Sequence, residues 1–448
     1  MPSPKRPSRK RRPFFWLLEK EWRELLVSRA WWALLLAIGP LVGFSFIGAM
    51  RTYAELSGLN GGAAGVGEAM APLIGVWGPT FSACELAAIF LLPFVAIRVM
   101  AGDRQSGALK LELQHNMPAI VRIAAKMLAL LAGWLIAMLA PLIALALWKS
   151  YGGTLYPPEL AVLMAGHLLN AGLSIALAAA ASSLTEHPST AAIVTLGVTV
   201  GAWILDFVAA VQGGWWEKAA GYTPSAVVAQ FQHGLVQLDV TLIALLLIAF
   251  GAGVAAIWVR LGVPVRRRVF ESLGLTFAMA LAIFTCSFTT PSWDASENRA
   301  NSFPEPDQRA LRQIHRPLKI VVHLAQEDPR RVDLERNALS KLRRAMPEVQ
   351  VQYVALTSTG LFEQTSPNYG EIWFELAGKR ITDRAVTAEA ILESIYSVAG
   401  LTPPQDKDDE TFRGHPLAIA PKGAGAIFYF VWPFTVLVSG LLVRRRFV

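Results

Sequence analysis

RVMAGDRQSGALKLELQHNMPAIVRIAAK, residues Arg98–Lys126, is a charged interruption between two long apolar runs. The run before it ends near Met100 and the run after it begins near Ile123. Each is about 20 residues or longer, enough for a helix to cross the ~30 Å hydrocarbon core of a bilayer. A polar segment between two such runs has to sit at a membrane surface. The rest of the chain repeats the pattern. Of its 448 residues 54% are hydrophobic and only 17% charged, and the mean hydropathy is +0.42; soluble chains carry about a quarter charged residues. Apolar runs recur at Ala30–Met50, Thr80–Met100, Ile123–Trp148, Glu159–Leu184, Thr190–Val211, Val240–Val259, Val269–Thr290 and Gly425–Val443. The expectation is a polytopic α-helical membrane protein with about eight transmembrane helices.

The basic residues are distributed by side. With the N-terminus placed in the cytoplasm, the tail to Arg29 holds nine Lys and Arg, Arg98–Lys126 five, Arg260–Arg268 four and Arg444–Arg446 three, 21 in all. The short loops on the other side hold three: Arg51, Lys149 and Lys218. This asymmetry satisfies the positive-inside rule, with both termini cytoplasmic. The net charge of +8 therefore expresses orientation, and no nucleic-acid partner is expected. Cys84 and Cys286 both fall in apolar runs, so neither a disulfide framework nor a cysteine metal site is expected. The opening PKRPSRKRR resembles the basic start of a signal peptide, but no small-residue cleavage site follows and it reads as retained. In FFWLLEKEWRELLVSR, Phe15, Leu18, Trp22 and Leu25 recur at helical spacing among charged residues. That suits a helix lying in the headgroup region; a solvated extension of the first span is the alternative.

Residues 291–424 have the composition of a soluble domain, with 17 Lys and Arg against 19 Asp and Glu. Leu318, Ile320, Val322 and Leu324 alternate as in a strand. Asp328-Pro329 signals a helix start, and Leu334, Ala338, Leu342 and Ala345 form a helical stripe ending at Pro347. Val349, Val351 and Tyr353 alternate, as do Ile372, Phe374 and Leu376. A second helix, Thr387–Ala399, stops at Gly400. This order predicts a small α/β layer domain, inserted on the extracytoplasmic side. Asn298–Gln308 and Thr402–Lys422, rich in Pro, Asp and Glu, read as tethers.

The chain lacks a G-x-x-x-x-G-K-[ST] sequence. GGAAGVG (Gly61–Gly67) has no lysine and no strand before it, and PKGAGA (Pro421–Ala426) reads as a linker leading into the last span. No catalytic residue is expected. His315, His323 and His415 occur without HExxH or CxxC, so neither a metal nor a nucleophile is expected. Four intramembrane polar groups are more informative: Glu85 in the second run, His167 and Asn170 in the fourth, and Asp206 in the fifth. Such groups are costly in lipid and face protein or water. They either line one outward vestibule or are satisfied separately near the interface.

KEWRELLVSR, six spans, and the pattern A-x-R-x-x-x-x-[DE]-R-x-x-G-x-L-x-x-x-L-x-x-x-x-P resemble permease subunits of ABC-2-type transporters over Phe14–Arg260. The pattern falls on Arg98, Asp103, Arg104, Gly107, Leu109, Leu113 and Pro118. The family more often has Glu at position 103 and Thr at position 108. The region after the sixth span more distantly resembles permeases of the gliding-motility-associated type, in Tyr369-Gly370, Ile372-Trp373-Phe374 and Ala377-Gly378-Lys379. The resemblance implies a cytoplasmic coupling helix that seats in a separate ATPase through Asp103, Arg104, Gly107, Leu109, Leu113, His115, Asn116 and Pro118. An amphipathic helix on the headgroups is the bland alternative. It further implies an exporter with two ATPase subunits carrying the ATP and magnesium, a second permease copy or paralogue, and a periplasmic partner for the outward domain, with no cofactor in this chain. The expected organisation is 1–29 tail and interfacial helix, 30–260 six-span core, 261–290 seventh span, 291–424 extracytoplasmic domain and 425–448 eighth span. A non-transporting complex that works mechanically on the envelope, or a membrane sensor, are the rival readings.

Overall fold

The computed structural model describes residues 13–59, 71–107, 117–212, 215–260, 262–325, 328–346, 348–354, 368–404, 412, 414–417, 419 and 422–447. Among them, eight helices are long and apolar enough to cross a membrane: Arg29–Leu56, Leu73–Gly102, Ala119–Ser150, Pro157–Leu184, Pro188–Leu205, Leu238–Val259, Val265–Cys286 and Ala424–Arg446, here spans 1 to 8. Each falls on one of the apolar runs. The largest difference is at span 2, which begins at Leu73 and not at Thr80. Gly78-Pro79 reads as a stop, but a proline in a first helical turn has no intrahelical N–H to lose. A wide helical turn, Leu73–Trp77, leads directly into Gly78–Phe90 and buries Leu73, Val76 and Trp77. Spans 2 and 3 are each interrupted once, at Leu91 and Met138, shortly before Pro93 and Pro141.

Consecutive spans alternate in direction. The helix Pro13–Val27, residues 102–107 and 117–119, residues 259–260 and 262–265, and Arg444–Arg446 therefore share one end of the bundle, the basic end. Residues 291–424 lie at the other. Spans 1 to 4 enclose the main core, with Trp31, Phe46, Trp77, Phe81, Trp134 and Trp148 almost fully buried. Spans 4 and 6 cross closely: a Cβ on Gly251 would lie 2.7 Å from the Ala176 carbonyl oxygen, and one on Gly172 2.8 Å from the Ile248 side chain. Small residues allow this approach, which replaces lipid contact with direct packing. Gly39 and Gly43 of span 1 form a second such groove, and span 8 fills it. Trp432 covers Gly39 and Phe428 covers Gly43, and the Trp432 indole donates to the Leu35 carbonyl at 2.7 Å. Span 7 has no buried residue in its hydrophobic window.

The helix Pro13–Val27 departs from expectation. Its buried face is Leu17, Glu21 and Leu25, spaced by four, while Phe15 and Trp16 are more than half exposed. It packs on span 3 and span 8. The stripe read from the apolar residues is displaced because Glu21 is buried by an ion pair, which hydropathy does not foresee.

The α/β region is built much as its alternation implies. β1 (Leu235–Gln237) pairs antiparallel with β2 (Ser292–Asp294). A four-stranded sheet follows, in the order β4-β3-β5-β6, from β3 (Leu318–Val322), β4 (Val349–Tyr353), β5 (Ile372–Leu376) and β6 (Lys379–Asp383). β3 and β4 are parallel and the other pairs antiparallel. Leu318, Ile320, Val322, Ile372 and Phe374 are buried with Leu334, Ala338, Leu342, Ile391 and Ile395 of the covering helices. Asp328 caps the first helix by accepting from the Arg330 N–H at 3.0 Å, and Gly400 ends Ala388–Ala399 in the left-handed conformation, φ 69°. Asn298–Gln308 is not a loose tether. The Asp294 carboxylate accepts from Ser296 N and Asn301 N, each at 3.0 Å, and from Ser302 Oγ at 2.7 Å. Phe303, Leu311 and Ile314, on and beside the helix Glu305–Arg312, join the domain core.

Candidate functional site

At the basic end, the part of span 2 beyond its interruption at Leu91 is the unbroken helix Leu92–Ser106, which ends at Gly107 in the left-handed conformation, φ 75°. Asp103 and Arg104 therefore lie on the extension of span 2, with Gly102 inside the helix. The side chains of Asp103 and Arg104 lie outside the description, as do residues 108–116, and with them Leu109, Leu113, His115 and Asn116. Pro118 does not stop a helix. It stands at the N-cap of span 3 (ψ 141°), where its carbonyl accepts from the Val121 N–H at 3.1 Å and its missing N–H costs nothing.

The helix Pro13–Val27 is clamped beside this turn. Lys126 of span 3 donates to Glu21 Oε2 at 2.7 Å, with both side chains buried. A cleft of about 480 Å³ lies between the helix and span 2, lined by Arg23, Glu24, Val27, Ser28, Arg98, Val99 and Gly102. Span 2, span 3 and the amphipathic helix are thus joined around the segment expected to couple.

Between the ends of the bundle, span 5 is followed by two short helices, Trp215–Ala220 and Pro224–Gln232. Pro224 lines one groove together with Leu173 and Leu177 of span 4 and Leu247 of span 6, positions well inside those spans. Phe231 covers Gly166, where a Cβ would meet it at 2.3 Å. The pair is re-entrant: Pro224–Gln232 starts inside the bundle and climbs to β1. Thr223 caps it, its hydroxyl accepting from Ala226 N at 3.2 Å.

His167 and Asn170 face this helix. His167 is 1% exposed, lies 5.2 Å from the Phe81 ring and is 3.5 Å from the Gln232 amide nitrogen. Asn170 is 0% exposed, and neither its amide nitrogen nor its oxygen has a hydrogen-bond partner. His167 Nδ1 and Gln230 Oε1 are likewise unpartnered. Buried polar atoms are nearly always bonded, and leaving an amide unpaired costs about 1–3 kcal/mol. Glu85 is half-buried on span 2 and is not a partner of either. Asp206 lies on the span 5 helix, with its side chain outside the description. The structure therefore buries two of the four intramembrane groups, His167 and Asn170, on span 4 and adds Gln232 beside His167.

At the opposite end, the α/β domain is fastened to the spans. Tyr53 of span 1 donates to the His415 carbonyl at 2.9 Å, and Ser57 Oγ accepts from Leu417 N at 3.0 Å. Tyr151 donates to the Lys422 carbonyl at 2.7 Å. Glu159 of span 4 accepts from the Glu297 N–H, and His415 Nε2 lies 2.9 Å from the Glu297 carboxylate. Burial holds the Tyr151 phenol above its ordinary value, which keeps it a donor.

Comparison of the chain with family models, with curated proteins and with solved structures gives no match in any of the three. Among the described residues, no group of three His, Cys, Asp or Glu could hold a metal ion. The short helices after span 5 escaped sequence reading because helices of six and nine residues do not fill a spanning window. Thr223-Pro224, a capping residue followed by proline, was the available signal.

Proposed function

We propose that the chain is the membrane-spanning permease subunit of an ABC-2-type exporter in a bacterial cytoplasmic membrane, coupled to ATPase subunits supplied separately. The observation that carries this reading is the unbroken helix Leu92–Ser106, which takes span 2 through Asp103 and Arg104 to the left-handed Gly107, with Pro118 at the N-cap of span 3. Force on residues 103–118 acts on both spans at once. The Glu21–Lys126 pair adds the amphipathic helix to the same body. Rigid-body rocking of these elements would reach the far end, because helices are stiff along their axes.

The Asn170 amide and the His167 Nδ1, buried and without hydrogen-bond partners among the described residues, support transport. In a closed state they lack the hydrogen bonds that a polar substrate or water would supply when spans 2 and 4 separate. ATP and magnesium belong to the partner ATPase, two copies of which serve a permease pair. The test is charge reversal, Asp103→Lys with Arg104→Glu, in the purified complex. ATP hydrolysis stimulated by the permease falls while membrane insertion is retained; unaltered coupling rejects the proposal.

A second reading has its own observation. The α/β domain is bonded to the ends of spans 1 and 4 and to Tyr151 after span 3, so movement of those spans would be delivered to it directly. On that reading the complex performs mechanical work on the envelope. Loss of the envelope phenotype on domain deletion, with no change in any transported solute, favours it.

A further inference from the structure

We propose that the groove between spans 4, 5, 6 and 7 holds one acyl chain of an anionic phospholipid, with its headgroup at Arg266. The groove has a volume of about 580 Å³ and is walled by Leu177, Phe250, Val254, Trp258 and Leu273, with Pro224 of the re-entrant helix at its inner limit. Three of its four hydroxyls are engaged within the protein. Ser272 Oγ accepts from the Trp258 indole at 3.0 Å, and Thr276 and Thr199 bond backbone carbonyls of their own helices at 2.9 and 3.2 Å. What it offers a ligand is hydrocarbon contact.

Its length identifies the ligand. The lining residues of span 6 run from Leu247 to Trp258, which at about 1.5 Å per residue is ~16 Å. That is close to half of the ~30 Å hydrocarbon thickness, one leaflet. The leaflet is the one at the basic end. Span 7 enters there, and its lining residues, Val269, Ser272, Leu273 and Thr276, lie in its first half. Left empty, the groove would forfeit dispersion contact on every wall.

Charge selects the lipid. Arg266 precedes Val269 by three residues and so lies on the same helix face. It is exposed, whereas its neighbours Arg260 and Arg267 are paired with Glu271. Arg266 has no carboxylate partner among the described residues. A second copy of this chain, inserted in the same direction, would bring its own basic end to this depth and meet like charge. An anionic headgroup is attracted instead. Span 7 would then be held to the body by span 6 on one side and lipid on the other.

The experiment uses the full-length protein in nanodiscs containing phosphatidylglycerol or phosphatidylcholine with brominated acyl chains, at equal mole fraction. Brominated phosphatidylglycerol should quench tryptophan fluorescence more strongly. The excess should vanish in Trp258→Phe, in which the reporter is removed, and in Arg266→Glu. Equal quenching by the two lipids, or an excess that survives Trp258→Phe, overturns the proposal. Native mass spectrometry gives a second reading that needs no variant in the groove. One phosphatidylglycerol retained per chain through delipidation supports the site, and a chain stripped as readily of phosphatidylglycerol as of phosphatidylcholine refutes it. Neither reading depends on an ATPase, so the site can stand or fall apart from the transport proposal.

Discussion

Lys126, at the start of span 3, donates to Glu21 of the amphipathic helix at 2.7 Å, and both side chains are shielded from solvent. Breaking a buried pair costs up to about 3–5 kcal/mol, whereas replacing both partners by apolar residues is close to neutral; here the more exposed Lys20, 3.4 Å from Glu21 Oε1, would remain as a weaker partner. Lys126→Met alone should therefore lower the melting temperature of the purified protein strongly. Lys126→Met with Glu21→Leu should recover most of the loss. A double variant no more stable than the single would mean that the pair is not the clamp.

The fastening of span 8 onto span 1 depends on two missing side chains. A Cβ on Gly43 would stand 2.3 Å from Phe428 Cβ, so Gly43→Val should force Phe428 out and release span 8. Ile47→Cys with Gly425→Cys, at positions that meet across the two spans, should form a disulfide on oxidation. Adding Gly43→Val should abolish it. Persistence of the cross-link would show that the interface does not rest on the glycine groove.

Much of this was legible in the sequence, for particular reasons. The eight spans were, because crossing hydrocarbon demands ~20 consecutive apolar residues. β3, β4 and β5 were, because a sheet with one buried face must alternate. The glycine groove of span 1 could be seen, but not that Trp432 would cap Leu35, 397 positions away. Glu21 read as a solvated charge because its partner Lys126 is 105 positions distant. Phe303 was assigned to the tether Asn298–Gln308 since its neighbourhood is rich in Pro, Asp and Glu, and Leu311 and Ile314 were not assigned to any element. In the candidate site, His167 and Asn170 were found from their rarity in lipid, while Gln230 and Gln232 were not, since nothing local reveals that their short helix turns back into the bundle.

The domain boundary is therefore testable. A fragment 302–401 contains the whole core, whereas 316–401 lacks Phe303, Leu311 and Ile314. The longer fragment should melt cooperatively and at higher temperature than the shorter. Leu342→Asp, which buries an unpaired charge, should unfold it. Its stability should also fall in acid. The Asp328 carboxyl is held below the usual range, chiefly by the hydrogen bond from Arg330. A depressed folded pKa gives stability that is complete above the unfolded value of about 3.9 and is lost as pH falls through the lower, folded one. Asp328→Asn should shallow the decline below pH ~4; an unchanged acid profile contradicts this.

Asn170 separates stability from function. Its amide is buried with no hydrogen-bond partner for nitrogen or oxygen, so Asn170→Leu removes an unsatisfied group worth about 1–3 kcal/mol. The variant should be at least as heat-stable as the parent and should lose substrate-stimulated ATP hydrolysis. A stable variant with full activity would mean that the buried polar cluster is not part of the pathway.

The central claim is that a separate ATPase engages the segment between spans 2 and 3. The direct measurement is photo-cross-linking in native membranes, with a photoreactive residue placed at Ser106, on the span 2 extension, or at Trp293, in β2 at the opposite end. The account predicts that an ABC-type ATPase is captured from position 106 and not from position 293. Capture of no ATPase at position 106, or equal capture at both positions, would contradict it.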